Sequence, residues 1–291
     1  MAEVNSLLEF ENITFTYEGN DSPALQNFSM KIPSGRKCVI LGQNGSGKST
    51  VFLLANGLLK PSSGRLVWKG ESVVYKKKNL RELRRKTGLL FQNAEEMLIS
   101  PIVIDDLSYG LINAGYSGEL LQDKVRQLMN RYQLNPLMDR PIHHLSLGEK
   151  RRVALAGVMG LEPELLLLDE PTTYLDPAQT KVFLKELNSI HLSGTTVLMA
   201  THDLDLAYEW ADWVFVINKG QLVFAGVPDE LFMNKSLILD TGLSIPLFFK
   251  LKQVVKVGSN KGKDNIDTAS EEEVLCYLKE QLENRRVNNE G

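Results

Sequence analysis

The chain has 291 residues, 43% of them hydrophobic and 24% charged, so it can bury a substantial core, yet no apolar run approaches membrane-spanning length. The formal net charge of −3 excludes a global positive field, and no nucleic-acid partner is expected. Two distant cysteines, Cys38 and Cys276, exclude a disulfide framework, and the first residues lack the basic and apolar regions of a signal peptide.

Leu8, Phe10, Ile13, Phe15 and Tyr17 predict an early strand whose alternation slips between Phe10 and Ile13. A turn over Glu18–Pro23 leads to a second alternating set, Phe28, Met30 and Ile32. Tyr17, at the end of the first strand, offers a ring that could stack on an adenine or simply cover core; taken alone it favours the second role.

Cys38–Leu41 reads as a buried strand and Val51–Ala55 as the start of a helix. Between them lies Gly42-Gln43-Asn44-Gly45-Ser46-Gly47-Lys48-Ser49-Thr50, a P-loop in its strand–loop–helix setting. Its glycines let successive N–H groups turn inward to phosphate oxygens, and the helix adds its positive end. Lys48 supplies a cation for the outer phosphates, and the Ser49 hydroxyl supplies a hard oxygen for Mg²⁺.

Lys60–Gly64 breaks the chain and Gly64–Trp68 predicts a short strand. Lys76–Lys86 carries seven basic residues and one acidic one, either a solvated helix face or a contact for anionic headgroups or a partner. Thr87–Phe91 reads as a buried strand with Gln92 at its end, where an amide could ligate Mg²⁺. Residues 93 to about 160 then form a helical insertion with helices over Asp105–Ala114, Leu120–Tyr132 and Gly148–Met159. Leu145–Glu149 precedes the last of these. Ser146 and Gly148 put a hydroxyl and an unhindered backbone at a helix N-terminus, suited to capping or to an anion. The adjacent His143 and His144 are poorly placed as a metal pair.

Leu165–Leu168 is a continuous apolar run, the mark of a central parallel strand, and Asp169 and Glu170 stand at its carboxyl end, where open α/β sheets bind ligands. Asp169 suits a Mg²⁺ contact and Glu170 suits a general base toward water. Asp176 caps a helix over Ala178–Ile190, Thr195–Thr201 is another buried strand, and His202 at its end could hold a γ-phosphate and the attacking water in line. Trp213–Ile217 and Leu222–Phe224 form a closing hairpin. In the extension beyond Pro228, Leu231–Phe232 and Leu243–Leu251 pack on the body. Gly258–Ala269 is a linker, and an amphipathic helix over about 270–286 follows a capping box at Ser270–Glu273.

In this order the motifs resemble the ATP-binding-cassette (ABC) ATPases: Walker A at Gly42–Ser49, the glutamine loop at Gln92, the signature at Leu145–Glu149, Walker B at Leu165–Asp169 followed by Glu170, the aspartate loop at Leu175–Asp176 and the switch histidine His202. Tyr17 matches the family's adenine-stacking aromatic. The resemblance covers residues 8 to about 228. It implies an α/β P-loop NTPase with a RecA-like core, an antiparallel β subdomain and a helical subdomain, spanning 1–228, with a C-terminal extension over 229–291. It implies ATP and Mg²⁺, with Glu170, His202 and Gln92 in hydrolysis, and Ser49, Gln92 and Asp169 around the metal. It also implies a second ABC ATPase subunit, homologous or identical, because the signature with Ser146, Gly148 and Glu149 then closes over the other subunit's P-loop; Asp176 is implied as a further nucleotide-binding residue. The signature departs from the family pattern at Leu147 and Glu149; hydrolysis is expected to survive this, with the Glu149 carboxylate weakening contact with the partner's ATP.

A finer resemblance rests on Phe91–Leu98, Asp105–Gly110 and Asn113–Gly115, which are similar to the energy-coupling-factor transporter ATPases. Tyr75–Leu80 with Arg84, His202–Glu209 and Gly226–Phe232 are similar to the cobalt-type members. The resemblance implies a peripheral subunit on the cytoplasmic side of the cell membrane, working with a membrane-spanning coupling component and a substrate-binding membrane component. The alternatives are an ATPase for nickel, a vitamin or an amino acid, and a soluble cassette protein that does not transport.

Overall fold

The computed structural model describes residues 5–258. Of the linker expected over Gly258–Ala269 only Gly258 is described, as the last residue of a helix; the rest of it and the terminal helix expected over about 270–286 lie outside the described residues.

Two sheets organise the chain. In the first, β1 (Ser6–Phe15) lies between β2 (Leu25–Pro33) and β4 (Ser63–Trp68), all antiparallel, with the two-residue β5 (Glu71–Ser72) at the far edge. Phe10 faces Met30 and Ile13 faces Phe28, so three steps on β1 oppose two on β2. The expected slip is therefore a bulge, and Asn12 takes the left-handed φ of 50° that it requires. The second sheet runs β10-β9-β3-β8-β7-β6, from β3 (Lys37–Leu41), β6 (Thr87–Leu90), β7 (Leu165–Asp169), β8 (Thr196–Ala200), β9 (Trp213–Asn218) and β10 (Gln221–Gly226). All its pairings are parallel except the β9–β10 hairpin.

The apolar runs follow from what covers this sheet. Val39, Leu41, Leu166, Leu168, Val197 and Met199 face one core, shared with the helices. Cys38, Ile40, Leu165, Leu167, Leu198 and Ala200 face another, shared with α1 (Lys48–Ala55) and the first sheet. With both faces covered, alternation between apolar and polar disappears. Burial also pushes the Cys38 thiol far above its usual range.

The helical insertion contains α3 (Val103–Asn113), α4 (Gly118–Arg131) and α5 (Leu147–Met159). Before it, α2 (Lys77–Lys86) buries only Leu83, turns most of its basic residues to solvent and anchors Arg84 Nη2 on the Gly57 carbonyl at 2.8 Å. Against the sheet also pack α6 (Pro177–Leu192) and α7 (Leu204–Trp210). The extension comprises α8 (Pro228–Met233), α9 (Lys235–Thr241) and α10 (Leu247–Gly258). It packs as expected: Leu231, Phe232, Phe248 and Phe249 are buried, the last three around the Tyr208 ring, and Leu243 and Leu251 flank that core. Tyr208 Oη donates to Asp229 at 2.8 Å, and Asp205 Oδ1 accepts the Leu247 N–H at 2.6 Å.

Several boundaries differ from the sequence reading by a few residues, and three of them bear on the site. Phe91 is outside β6 and 37% exposed, because the chain leaves the sheet there and its N–H turns to Met97 Sδ at 3.4 Å. Tyr17 lies two residues beyond the end of β1. Helix α1 begins at Lys48, three residues early, since the last P-loop residues are themselves its first turn.

Candidate functional site

The P-loop lies between β3 and α1 and opens into a cleft of about 430 Å³. Gly47 shows why the loop needs glycine: its φ is 112°, and a Cβ would sit 2.7 Å from Leu25 Cδ2 and 3.0 Å from the Ala24 carbonyl. At Gly42 a Cβ would come within 2.4 Å of the Ile217 carbonyl. Lys48 is 7% exposed, and its ammonium donates to the carbonyls of Gly42 (2.7 Å) and Gln43 (3.2 Å). Burial lowers its pKa, opposed in part by Glu170 and Asp169. Ser46 Oγ is buried and has no hydrogen-bond partner among the described residues. A folded-back cation and an orphaned hydroxyl in one loop, with the N–H groups of α1 behind them, suit an anionic ligand.

Asn44, Gly45, Gly47, Lys48, Ser49, Thr50, Gln92, Asp169 and Glu170 line the cleft, together with Tyr17 and Asn20, Ser22, Pro23 and Ala24 of the following turn. Tyr17 Oη meets Thr50 Oγ1 at 3.1 Å, and its ring stands edge-on to Phe15 at 4.9 Å. Asp169 is buried, which raises its pKa, while a hydrogen bond from Ser49 lowers it. A serine hydroxyl, a carboxylate and the Gln92 amide facing one cleft are a hard-oxygen donor set, the type that fits Mg²⁺.

Glu170 follows β7 with a left-handed φ of 47°, and its N–H is tied to the Ala200 carbonyl at 3.0 Å. That strained backbone aims the carboxylate at the cleft, where Oε2 lies 2.7 Å from His202 Nδ1 and 3.5 Å from Thr173 Oγ1. The His202 side chain is 71% exposed, so the pair is open to solvent on the histidine side.

Not every expected residue gathers here. Gln43 turns its side chain away and donates from Nε2 to the Thr241 carbonyl at 3.2 Å, so the extension touches the P-loop directly. Ser146, Gly148, Glu149 and Asp176 do not line the cleft. Asp176 caps α6 by accepting the Gln179 N–H at 2.8 Å. Ser146 and Glu149 form a capping box: Ser146 Oγ accepts the Glu149 N–H at 3.3 Å, and Glu149 Oε2 accepts the Ser146 N–H at 2.7 Å. Glu149 is held below the usual carboxylate range chiefly by that backbone bond. Beside it Leu147 is half exposed, and a Cβ on Gly148 would meet nothing nearer than Gln179 at 3.7 Å. Sequence reasoning missed Thr173 and Arg151, which carry no motif signal: the Thr173 hydroxyl meets Glu170 Oε2, and Arg151 meets the Thr173 carbonyl, only in the folded chain.

Comparison with known proteins agrees with this geometry. The family model described as ABC transporter matches residues 25–173. The Nostoc protein alr3946, named as an ABC transporter ATP-binding protein, is 47% identical over 84% of this chain and 90% of its own length. The energy-coupling factor transporter ATP-binding protein EcfA of Carboxydothermus hydrogenoformans is 41% identical over 85% of this chain and 90% of its own. Among solved structures, cbiO1 from Clostridium perfringens, part of the ABC transporter complex cbiONQ, superposes with a TM-score of 0.73 at 36% identity, covering 86% of this chain and 99% of that one. The chain belongs to the ABC transporter family, as an ATP-binding protein of the energy-coupling-factor type whose ATP hydrolysis is coupled to transport.

Proposed function

We propose that the cleft binds ATP and that Glu170, held by His202, is the general base of its hydrolysis. The observation that carries this reading is the 2.7 Å contact between His202 Nδ1 and Glu170 Oε2 beside the P-loop. In this reading Tyr17 takes the adenine, and the Gly42–Thr50 loop with Lys48 takes the phosphates. Ser49, Asp169 and Gln92 would hold Mg²⁺, which would supply charge neutralisation on the outer phosphates. Glu170 accepts the proton of the attacking water as its oxygen bonds the γ-phosphorus and the bond to ADP breaks. His202 orients that carboxylate. Replacing Glu170 by Gln should slow turnover at least about 100-fold while ATP still binds. Undiminished turnover in that variant would remove Glu170 from the role.

The remaining site residues, Ser146, Gly148, Glu149 and Asp176, we assign to the nucleotide of a second ABC subunit, identical or paralogous. They do not line this chain's own cleft, and Ser146 at the start of α5 and Asp176 at the start of α6 are exposed, with Gly148 and Glu149 partly so, which supports that division of labour. Residues 1–228 form the nucleotide-binding unit and 229–291 its extension. The solute we assign is cobalt ion, with nickel or a vitamin as the alternatives. Supporting it are the cobalt-type motifs around Tyr75–Leu80 and His202–Glu209 and the likeness to cbiO1 of a cbiONQ complex. The chain then sits on the cytoplasmic face of a membrane, bound to a coupling component and a substrate-binding component. No helix among the described residues is long and apolar enough to cross a membrane itself. Purifying the membrane complex and measuring ATP-dependent cobalt uptake tests the assignment; uptake of a vitamin but not cobalt would replace it.

A further inference from the structure

Arg151 lies in the second turn of α5 and is 6% exposed. Its Nη2 donates to the Thr173 carbonyl at 3.0 Å and, more loosely, to the Gln92 carbonyl at 3.4 Å. Its Nε and Nη1 are buried with no acceptor among the described residues. A guanidinium shut away from water with donors unpaired is costly, and burial lowers its pKa accordingly. Stability therefore does not account for an arginine at this point.

Its two acceptors do. Thr173 closes the turn that begins at Glu170: its N–H donates to the Glu170 carbonyl at 3.2 Å, and its hydroxyl reaches Glu170 Oε2 at 3.5 Å. Gln92 stands where the chain leaves the parallel sheet for the helical insertion. One side chain on the insertion thus holds the backbone of the glutamine and the turn of the glutamate. The exposed Lys150–Glu95 pair, 3.0 Å apart, also joins α5 to the segment after Gln92, but water screens it. The guanidinium also lines two cavities of about 230 and 220 Å³, one toward Asn93 and Tyr174, the other toward Gln179 and Glu186.

We propose that Arg151 is the positioning residue through which the helical insertion sets the placement of Gln92 and Glu170. The inference rests on the catalytic roles proposed above. Arg151 does not line the P-loop cleft, so its loss should act on turnover rather than on binding.

The test uses the full chain assembled with its membrane components, with Glu170→Gln measured alongside. Arg151→Met should lower kcat about ten-fold or more while KM for ATP stays within about two-fold, and Arg151→Lys should recover part of that loss. Wild-type kcat in Arg151→Met overturns the inference, as does a raised KM with kcat kept. If Arg151→Met fails to fold by thermal melting, Arg151→Lys decides: a lower kcat at constant KM supports the inference, and wild-type kcat overturns it. Lost turnover in Glu170→Gln with normal turnover in Arg151→Met sinks this inference alone. Normal turnover in Glu170→Gln sinks the catalytic reading beneath it.

Discussion

The P-loop cleft and the N-terminus of α5 are both helix starts suited to an anion, and they are built in opposite ways. At the P-loop, donors are left waiting: Ser46 Oγ has no partner among the described residues, and Lys48 settles on loop carbonyls. At α5 the donors are already taken, because the Glu149 carboxylate occupies the Ser146 N–H and Ser146 Oγ caps the Glu149 N–H. The P-loop thus leaves a buried polar group without a protein partner, whereas the start of α5 satisfies its own. The first site is prepared for its ligand, and the second carries a negative charge of its own where a phosphate would approach.

The sharpest way to break this contrast is to disturb the backbone of the P-loop. Gly47→Ala forces a left-handed φ on an alanine and drives Cβ against Leu25 and Ala24, so it should cost about 4 kcal/mol and abolish ATP binding in calorimetry. Retained binding would mean that the loop is less tightly determined than its geometry implies.

On the α5 side the largest effect should come from pH. Glu186 on α6 lies in the cavity beneath Gly148 and Arg152, and burial raises its pKa from 4.5 to about 7, against the pull of Arg152 and Arg131. Between these values the folded chain keeps a proton that the unfolded chain has released. Stability therefore falls as pH rises from about 4.5 to about 7, by about 3 kcal/mol from this group. Denaturant unfolding at both ends of that range should lose most of the difference in Glu186→Gln. An unchanged slope in the variant would assign the pH dependence elsewhere.

The smallest effect concerns Glu149. Glu149→Gln keeps the capping box but removes the charge from the helix N-terminus, so the melting point should drop by the equivalent of about 0.5 kcal/mol. In the assembled transporter the same change should lower KM for ATP, and a higher KM would show that the carboxylate helps the partner's nucleotide.

Much of this was legible in advance. The runs Cys38–Leu41 and Leu165–Leu168 announced parallel strands because both faces of the sheet are covered, and the slip between Phe10 and Ile13 announced a bulge. The P-loop, Asp169 and His202 were readable because their chemistry needs particular residue types at particular spacings. What stayed hidden is set by long-range geometry. No local pattern gives Glu170 its left-handed backbone, turns Gln43 toward the extension, or brings the carbonyls of Gln92 and Thr173 to Arg151. The short helix α7 escaped notice for a simpler reason: seven residues are too few to express a helical period.

The Gln43–Thr241 hydrogen bond has a mechanical consequence. The extension is fastened at one point to the loop before Lys48, and at another, through Asp205 and Tyr208, to the helix that follows His202. The extension thus acts as a splint: a load on α8–α10 is shared between the P-loop and α7, segments that lie far apart along the chain.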